Sequence, residues 1–271
     1  MPAPPQVQSQ LGQGSQRLRQ DRPDSESTNR AHAHTVGVAD RVCRPIGPAP
    51  YDEPVPNRPG PPPITADAAS ATALLGFDPA ELRNTYAVMR HGQSHPNVAG
   101  VIVCRPDAGI DPANGLTELG RQQARDAALL WTEDQDRPPV IISSDFTRAL
   151  ETAEELRTIT GADPVIIDVR LRERDFGSYD GGPVSGYDEV WAADAAGTCI
   201  HGIESVADVL ARTAELIKEL DARYQDQQIV LVSHGDTAQI TIAAFAGVRP
   251  DQHRSLPGLG NAEIRPLTGE H

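Results

Sequence analysis

From Thr85 onward, short apolar runs of strand length alternate with segments whose apolar positions recur at three- and four-residue spacing. Thr85 to Met89, Val140 to Ser143, Val165 to Val169, Ile229 to Ser233 and Ala262 to Leu267 read as strands. Thr117 caps a helix that runs to about Asp134. Further helical patterns span Phe146 to Thr160, Ser185 to Ala195, Ser205 to Tyr224 and Thr237 to Phe245. Strands separated by helices return in the same direction, so the alternation predicts an α/β fold: a three-layer α/β/α sandwich with a mostly parallel sheet. The residues ahead of it follow another pattern. Met1 to about Ala80 is rich in Pro, Gln, Ser, Arg and Asp, contains Pro61-Pro62-Pro63 and carries few large apolar side chains. Such a stretch buries too little surface to offset the entropy of ordering, so residues 1–80 read as a disordered extension ahead of a domain at 81–271. Ala68 to Leu75 fits a short helix leading into that domain. A docking arm and an unselected extension are both open readings, with His32 and His34 as an incidental metal-binding pair.

Three of the strands end in residues that can handle a phosphoryl group. Tyr86 to Met89 runs directly into Arg90-His91-Gly92, Val140 to Ser143 is followed by Ser144, Asp145 and Arg148, and Ile229 to Ser233 releases His234-Gly235. Ser143, Ser144 and Asp145 offer N-cap oxygens, which places Arg148 in or near the first turn of a helix. A neutral imidazole can attack phosphorus, and a guanidinium can hold phosphate oxygens in a fork. Each residue alone has a plainer reading, since a histidine at a strand end is usually a hydrogen-bonded structural group and a helical arginine is usually solvated. Their shared placement changes the balance. The carboxyl ends of parallel strands lie on one side of a sheet, where open α/β folds bind ligands and helix N-termini favour anions.

Other segments extend the pattern. Ser94 and Asn97 follow Arg90-His91-Gly92. Leu116-Thr117-Glu118-Leu119-Gly120-Arg121-Gln122-Gln123-Ala124 comes next, then Ser143 to Ala153, Leu171-Arg172-Glu173 with Phe176-Gly177, and Ser233-His234-Gly235. With these motifs in this order, the chain from Tyr86 to about Leu267 resembles the histidine phosphatase superfamily, in the branch that includes the cofactor-dependent phosphoglycerate mutases. The resemblance implies a phosphoglycerate mutase-like fold with His91 as the phosphorylated nucleophile. It implies Arg90, Arg148 and His234 as the phosphate pocket, with His234 also catalytic, Asn97 and Ser94 as further polar contacts, and Glu173 as the proton donor. Asp175 and Asp145 are lesser candidates for that last role.

The chemistry asks for the same inventory. Phosphoryl transfer depends on positioning and on donors aimed at the phosphate oxygens, and two guanidinium groups supply charge without a metal or other cofactor. His91 needs its attacking nitrogen unprotonated, so its other ring nitrogen must donate to a fixed acceptor, for which a backbone carbonyl suits. Glu173 needs a raised pKa, which Arg172 and Arg174 would oppose if they faced it. Phosphomonoester hydrolysis is therefore the leading expectation. A mutase and an inactive phosphate-binding module are the alternatives. Mutases of the family typically carry a lysine soon after the motif that contains Glu173, and the segment from Glu173 to Pro183 has none. Ser94 and Gly235 depart from the acid-phosphatase and phytase branch, which Pro96 alone fits.

Composition narrows the partners. The formal charge of 24 minus 38, or −14, argues against nucleic acid and anionic membranes, leaving a small phosphorylated substrate as the expected partner, with a homodimer compatible. Screening confines that acidic field to about 10 Å, so local Arg and His groups govern the pocket. Cys43, Cys104 and Cys199 are far apart, with no spacing for zinc or a disulfide framework. Together with an amino terminus that lacks a signal-like apolar core, they point to the cytoplasm. Val98 to Gly115 and Gly177 to Ile203 are expected to cover the pocket and select the substrate.

Overall fold

A computed structural model describes residues 68–133 and 137–267. The reading of 1–67 as disordered, with Cys43, His32 and His34, lies outside the described residues. The expected short helix forms as α1 (Ala68–Leu75), with Ala71 and Leu75 buried against the domain. A 3-10 turn at Pro79–Glu81 follows, capped by Asp78. The extent of 1–80 as extension is therefore too long by these residues, because alanine and leucine here do have a core to join.

Strands β1 (Thr85–Arg90), β2 (Val140–Ser143), β3 (Ile166–Ile167), β4 (Gln228–Ser233) and β5 (Ile264–Pro266) form one sheet in the order β3-β2-β4-β1-β5. All neighbours are parallel except β5, which runs antiparallel to β1. β1 and β4 are buried on both faces, as parallel strands between helical layers must be. Alternation divides their side chains. Ile229 and Leu231 join Tyr86 and Val88 on the face covered by α1, α7 (Val206–Arg223) and α8 (Gly235–Phe245). Val230 and Val232 join Met89 on the opposite face, under α4 (Glu118–Glu133) and α5 (Thr147–Thr160).

The expected strand Val165 to Val169 shortens to Ile166–Ile167. The Asp168 carboxylate accepts from the Arg170 backbone N–H at 2.9 Å and turns the chain into a 3-10 helix at Val169–Leu171. Helix α2 (His95–Ala99) leads into the first cover segment, which carries α3 (Pro106–Gly109) and a 3-10 turn at Pro112–Asn114, while the second carries α6 (Gly186–Ala195). The two share a small apolar cluster of Ile102, Cys104, Phe176 and Val190, so they form one cap.

Because β2, β4 and β1 are adjacent, their carboxyl ends release Ser144, His234 and His91 side by side. The ladder runs one residue past the strands: His91 N–H donates to Ser233 O at 3.0 Å and Ser144 N–H to Val232 O at 3.0 Å.

Candidate active site

His91 is 3% exposed, and Nδ1 lies 2.7 Å from the Gly92 carbonyl oxygen. A carbonyl only accepts, so Nδ1 carries the proton and Nε2 keeps its lone pair. Arg148 Nε donates to that Nε2 at 3.1 Å. Burial, then the positive charges of Arg148 and Arg90, hold the imidazole well below its ordinary pKa and keep it neutral.

Arg148 sits in the first turn of α5, where it also donates through Nη2 to Val103 O at 2.8 Å. Its Nη1 is buried without a partner among the described residues. The His234 ring stands edge-on to His91, centroids 5.2 Å apart, with Nε2 at 2.9 Å from Ser144 Oγ. His234 Nδ1 is likewise buried and without a partner among the described residues. Buried polar atoms are normally paired, so these two nitrogens beside the neutral His91 ring ask for a polar ligand. Arg90, from the end of β1, is braced by donating from Nη1 to Leu259 O at 2.7 Å.

Ser144 is the residue missed in the sequence. The expected N-cap role of Ser143, Ser144 and Asp145 is not how the turn is built. Phe146 occupies the N-cap without a side-chain bond, Asp145 pairs with Arg172 at 2.5 Å, and Ser144 Oγ accepts from Phe146 N at 3.2 Å while it faces His234. A serine after a strand is a common capping signal, and no local pattern marks a partner 90 positions away.

Glu173 is buried at the N-terminus of α8. Oε1 accepts from the backbone N–H of Arg174 at 2.9 Å and of Thr237 at 3.2 Å, and Oε2 lies 3.4 Å from Asp236 N. The flanking arginines turn away from its carboxyl: Arg172 binds Asp145 and Arg174 binds Asp194 and Asp236. Burial first, and the Asp236 charge second, raise its pKa above the ordinary carboxyl value. A Cβ placed on Gly235 would lie 3.7 Å from Arg90 Nε and 3.8 Å from Glu173 Oε2, so this glycine lies between the arginine and the acid.

Ser94 and Asn97 do not join this cluster through the same atoms. They form a capping box on α2, with Ser94 N–H donating to Asn97 Oδ1 at 3.1 Å and Asn97 N–H to Ser94 Oγ at 3.4 Å. Asn97 Oδ1 also accepts from Asn261 Nδ2, which in turn binds His91 O at 3.2 Å. Of the lesser acid candidates, Asp145 is tied to Arg172, and Asp175 accepts from Gly177 N at 2.7 Å and faces Arg105.

Two glycines bring the loop that carries His91 against α4. A Cβ on Gly120 would fall 2.0 Å from Gln93 O, and one on Gly92 would fall 2.3 Å from Gly120 O. The loop is fixed further by Gly92 N–H donating to Thr152 Oγ1 at 3.0 Å and Gln93 N–H to Gln123 Oε1 at 2.9 Å.

A family model described as histidine phosphatase superfamily (branch 1) matches residues 86–271. The glucosyl-3-phosphoglycerate phosphatase of Mycolicibacterium vanbaalenii is 36% identical over 196 residues, covering 67% of this chain and 83% of the relative. A solved structure of mycobacterial glucosyl-3-phosphoglycerate phosphatase complexed with VO3 aligns at a TM-score of 0.56 and 33% identity, covering 67% of this chain and 90% of that one. A phosphoserine phosphatase of Entamoeba histolytica in complex with 3-phosphoglyceric acid aligns at 0.55 and 25% identity, covering 68% and 89%. The match spans most of the chain, including the carboxyl ends of β1, β2 and β4, and the protein belongs to the histidine phosphatase superfamily (branch 1).

Proposed function

We propose that this enzyme hydrolyses small phosphomonoesters through a phosphohistidine on His91, with Glu173 as proton donor and Arg90, Arg148 and His234 holding the phosphate. The Nε2 lone pair attacks phosphorus, the Nε2–P bond forms and the P–O bond to the leaving group breaks. Glu173 gives its proton to the departing oxygen. The resulting carboxylate then takes a proton from water, whose oxygen attacks phosphorus, breaks the Nε2–P bond and releases phosphate. Oε1 already accepts from two backbone N–H groups, which leaves Oε2 as the oxygen to carry the proton. Asn97 offers its amide N–H to the phosphate, since its Oδ1 is engaged in the cap, and Ser94 acts through the cap alone.

The observation that carries this reading is the Nδ1 contact of His91 with a carbonyl, which leaves Nε2 as a nucleophile beside Arg148. The reading needs no metal, because the two guanidinium groups supply the positive charge and His234 a further polar contact. Its partner is a small phosphorylated substrate, the net charge of −14 disfavours nucleic acid and anionic membrane, and a homodimer is compatible with it. The location that fits is the cytoplasm, where the free Cys104 and Cys199 thiols stay reduced. Among the described residues no helix is long and apolar enough to cross a membrane. Lys218, the only lysine, lies on α7 over the Phe77 ring at 5.6 Å, which favours hydrolysis over a mutase that uses a lysine near the acid.

The names of the relatives direct the substrate search to phosphorylated glyceric acid derivatives, including glycosylated ones. The test is a hydrolysis panel of such esters with phosphoserine and sugar phosphates, run on wild type and His91→Ala with chelator present. Phosphate release by wild type alone supports the reading. Binding without release, or isomerisation of phosphoglycerate that depends on a bisphosphorylated primer, contradicts it.

A further inference from the structure

Beneath Glu173 lies a buried set of charges that the proposed reaction does not use directly. Asp236, 3% exposed, follows Gly235 in the first turn of α8. Its Oδ1 accepts from Trp191 Nε1 of α6 at 2.9 Å and lies 3.0 Å from His253 Nε2, and its Oδ2 accepts from Arg174 Nη1 at 3.1 Å. Arg174 also forms a two-pronged pair with Asp194 of α6, at 2.6 and 2.9 Å. His253 belongs to a 3-10 helix at Pro250–Ser255 and is fully buried.

The partners of His253 define its charge. Nδ1 is 2.8 Å from the Pro250 carbonyl oxygen and Nε2 is 3.0 Å from the Asp236 carboxylate. Both partners accept and neither donates, so this geometry suits the imidazolium form, with hydrogen on both ring nitrogens. The buried set then holds two cations, Arg174 and His253, against two anions, Asp194 and Asp236. Such a set is costly to break, because removing one member leaves an uncompensated charge. The Asp236 backbone N–H faces Glu173 Oε2 directly, so whatever charge Asp236 displays is felt by the acid. The other groups facing Glu173 are Arg148 from α5, Arg90 from β1, the Tyr187 hydroxyl from α6, and Arg174 through its own backbone.

We propose that His253 is a positioning residue that, as an imidazolium bound to Asp236, sets the negative charge presented to Glu173 and thereby the alkaline limit of activity. Through Trp191 and Asp194 the same node ties the cap helix α6 to the acid, so the seating of α6 and the placing of the proton donor share one carboxylate. This deepens the proposed reaction and rests on Glu173 being its proton donor. The opposing signs of two substitutions distinguish tuning from simple support. Asp236→Asn removes an anion near Glu173, which releases the proton more readily. His253→Gln keeps one donor toward Asp236 but removes the cation that offsets it, so Glu173 holds its proton more tightly.

The test has two arms on the full chain. Nitrogen-15 NMR of the imidazole rings, with His253 assigned by its loss in His253→Gln, is expected to show both nitrogens protonated near neutral pH; a neutral single tautomer overturns the inference. The pH–rate profile for p-nitrophenyl phosphate is expected to move its alkaline limb down in Asp236→Asn and up in His253→Gln, each by roughly half a pH unit or more. Limbs that stay with wild type, or move in the same direction, also overturn it. Glu173→Gln separates the two levels: an alkaline limb that survives there removes Glu173 as donor, whereas the NMR arm judges His253 independently of any rate.

Discussion

His91 Nδ1 and the carbonyl oxygen of its own neighbour Gly92 are 2.7 Å apart, and this contact puts the ring proton on Nδ1 and leaves the lone pair on Nε2. It acts together with the field of the site. His91 is pushed well below its ordinary 6.5 by burial, Arg148 and Arg90, while Glu173 is pushed above its ordinary 4.5 by burial and Asp236. At ordinary values a neutral histidine and a protonated glutamate would rarely coexist. The two shifts run toward each other, which widens the pH range in which a neutral His91 and a protonated Glu173 coexist. Activity is therefore expected to persist as pH falls through 6.5, to fail only well below it, and to decline as pH rises through the raised Glu173 value. A profile of kcat/KM against pH checks this. An acid limb at the ordinary histidine value contradicts it.

Stability should carry the same signature. Burial also depresses the His234 pKa, with Arg148, His91, Arg212 and Arg90 adding to the effect. Both histidines bind protons at 6.5 when unfolded but only at lower pH when folded, so their contribution is complete above 6.5 and is lost as pH falls. Each should add a slope of roughly 1 kcal/mol per pH unit across that acidic range. Chemical denaturation of wild type and His234→Gln at a series of pH values tests this, the variant being expected to show the shallower acid decline.

Arg148 should be expensive to the free protein and indispensable to the reaction. Burial works against its charge, and Nη1 has no partner among the described residues. Phosphate or vanadate should raise Tm, by an amount equivalent to about 2.7 kcal/mol at a hundred times Kd. Arg148→Met should abolish that increase and lower kcat/KM by about 10²-fold or more. Thermal shift with and without phosphate, beside initial rates, makes the comparison, and an equal ligand-induced shift in the variant would count against a phosphate role.

Gly120→Ala should damage the site from the back of the loop. Its Cβ would meet Gln93 O at 2.0 Å, backbone against backbone, and neither α4 nor the nucleophile loop can yield by a side-chain rotation. A loss of roughly 1–3 kcal/mol in stability is expected, with an activity loss larger than the destabilisation explains because His91 moves with the loop. Denaturation midpoints and rates measured well below Tm separate the two effects.

Much of this arrangement was legible in the chain. β2 at Val140–Ser143 is the span the apolar run marks, and β1, β4 and the long helices agree to within about two residues. His91, Arg148 and His234 stand together because their motifs end adjacent strands, a consequence of parallel topology that local pattern reveals. What stayed hidden depends on contacts between distant segments. Ser144 looked like a cap and is the partner of His234; Asp168 ended a strand with a side-chain hydrogen bond; and His253 lies in a segment whose pattern singles out nothing. Arg172 and Arg174 looked hostile to a protonated Glu173, yet Asp145, Asp194 and Asp236 occupy them.

The phosphohistidine is the centre of the account and can be observed directly. Wild-type enzyme mixed with a phosphorus-labelled ester and quenched in alkali within a turnover should retain label, lose it in acid, and yield a peptide carrying the phosphate on His91. His91→Ala should retain none and should turn over at least about a thousandfold more slowly. Label that persists in His91→Ala, or wild-type turnover with label on another residue, would contradict the assignment of His91 as nucleophile.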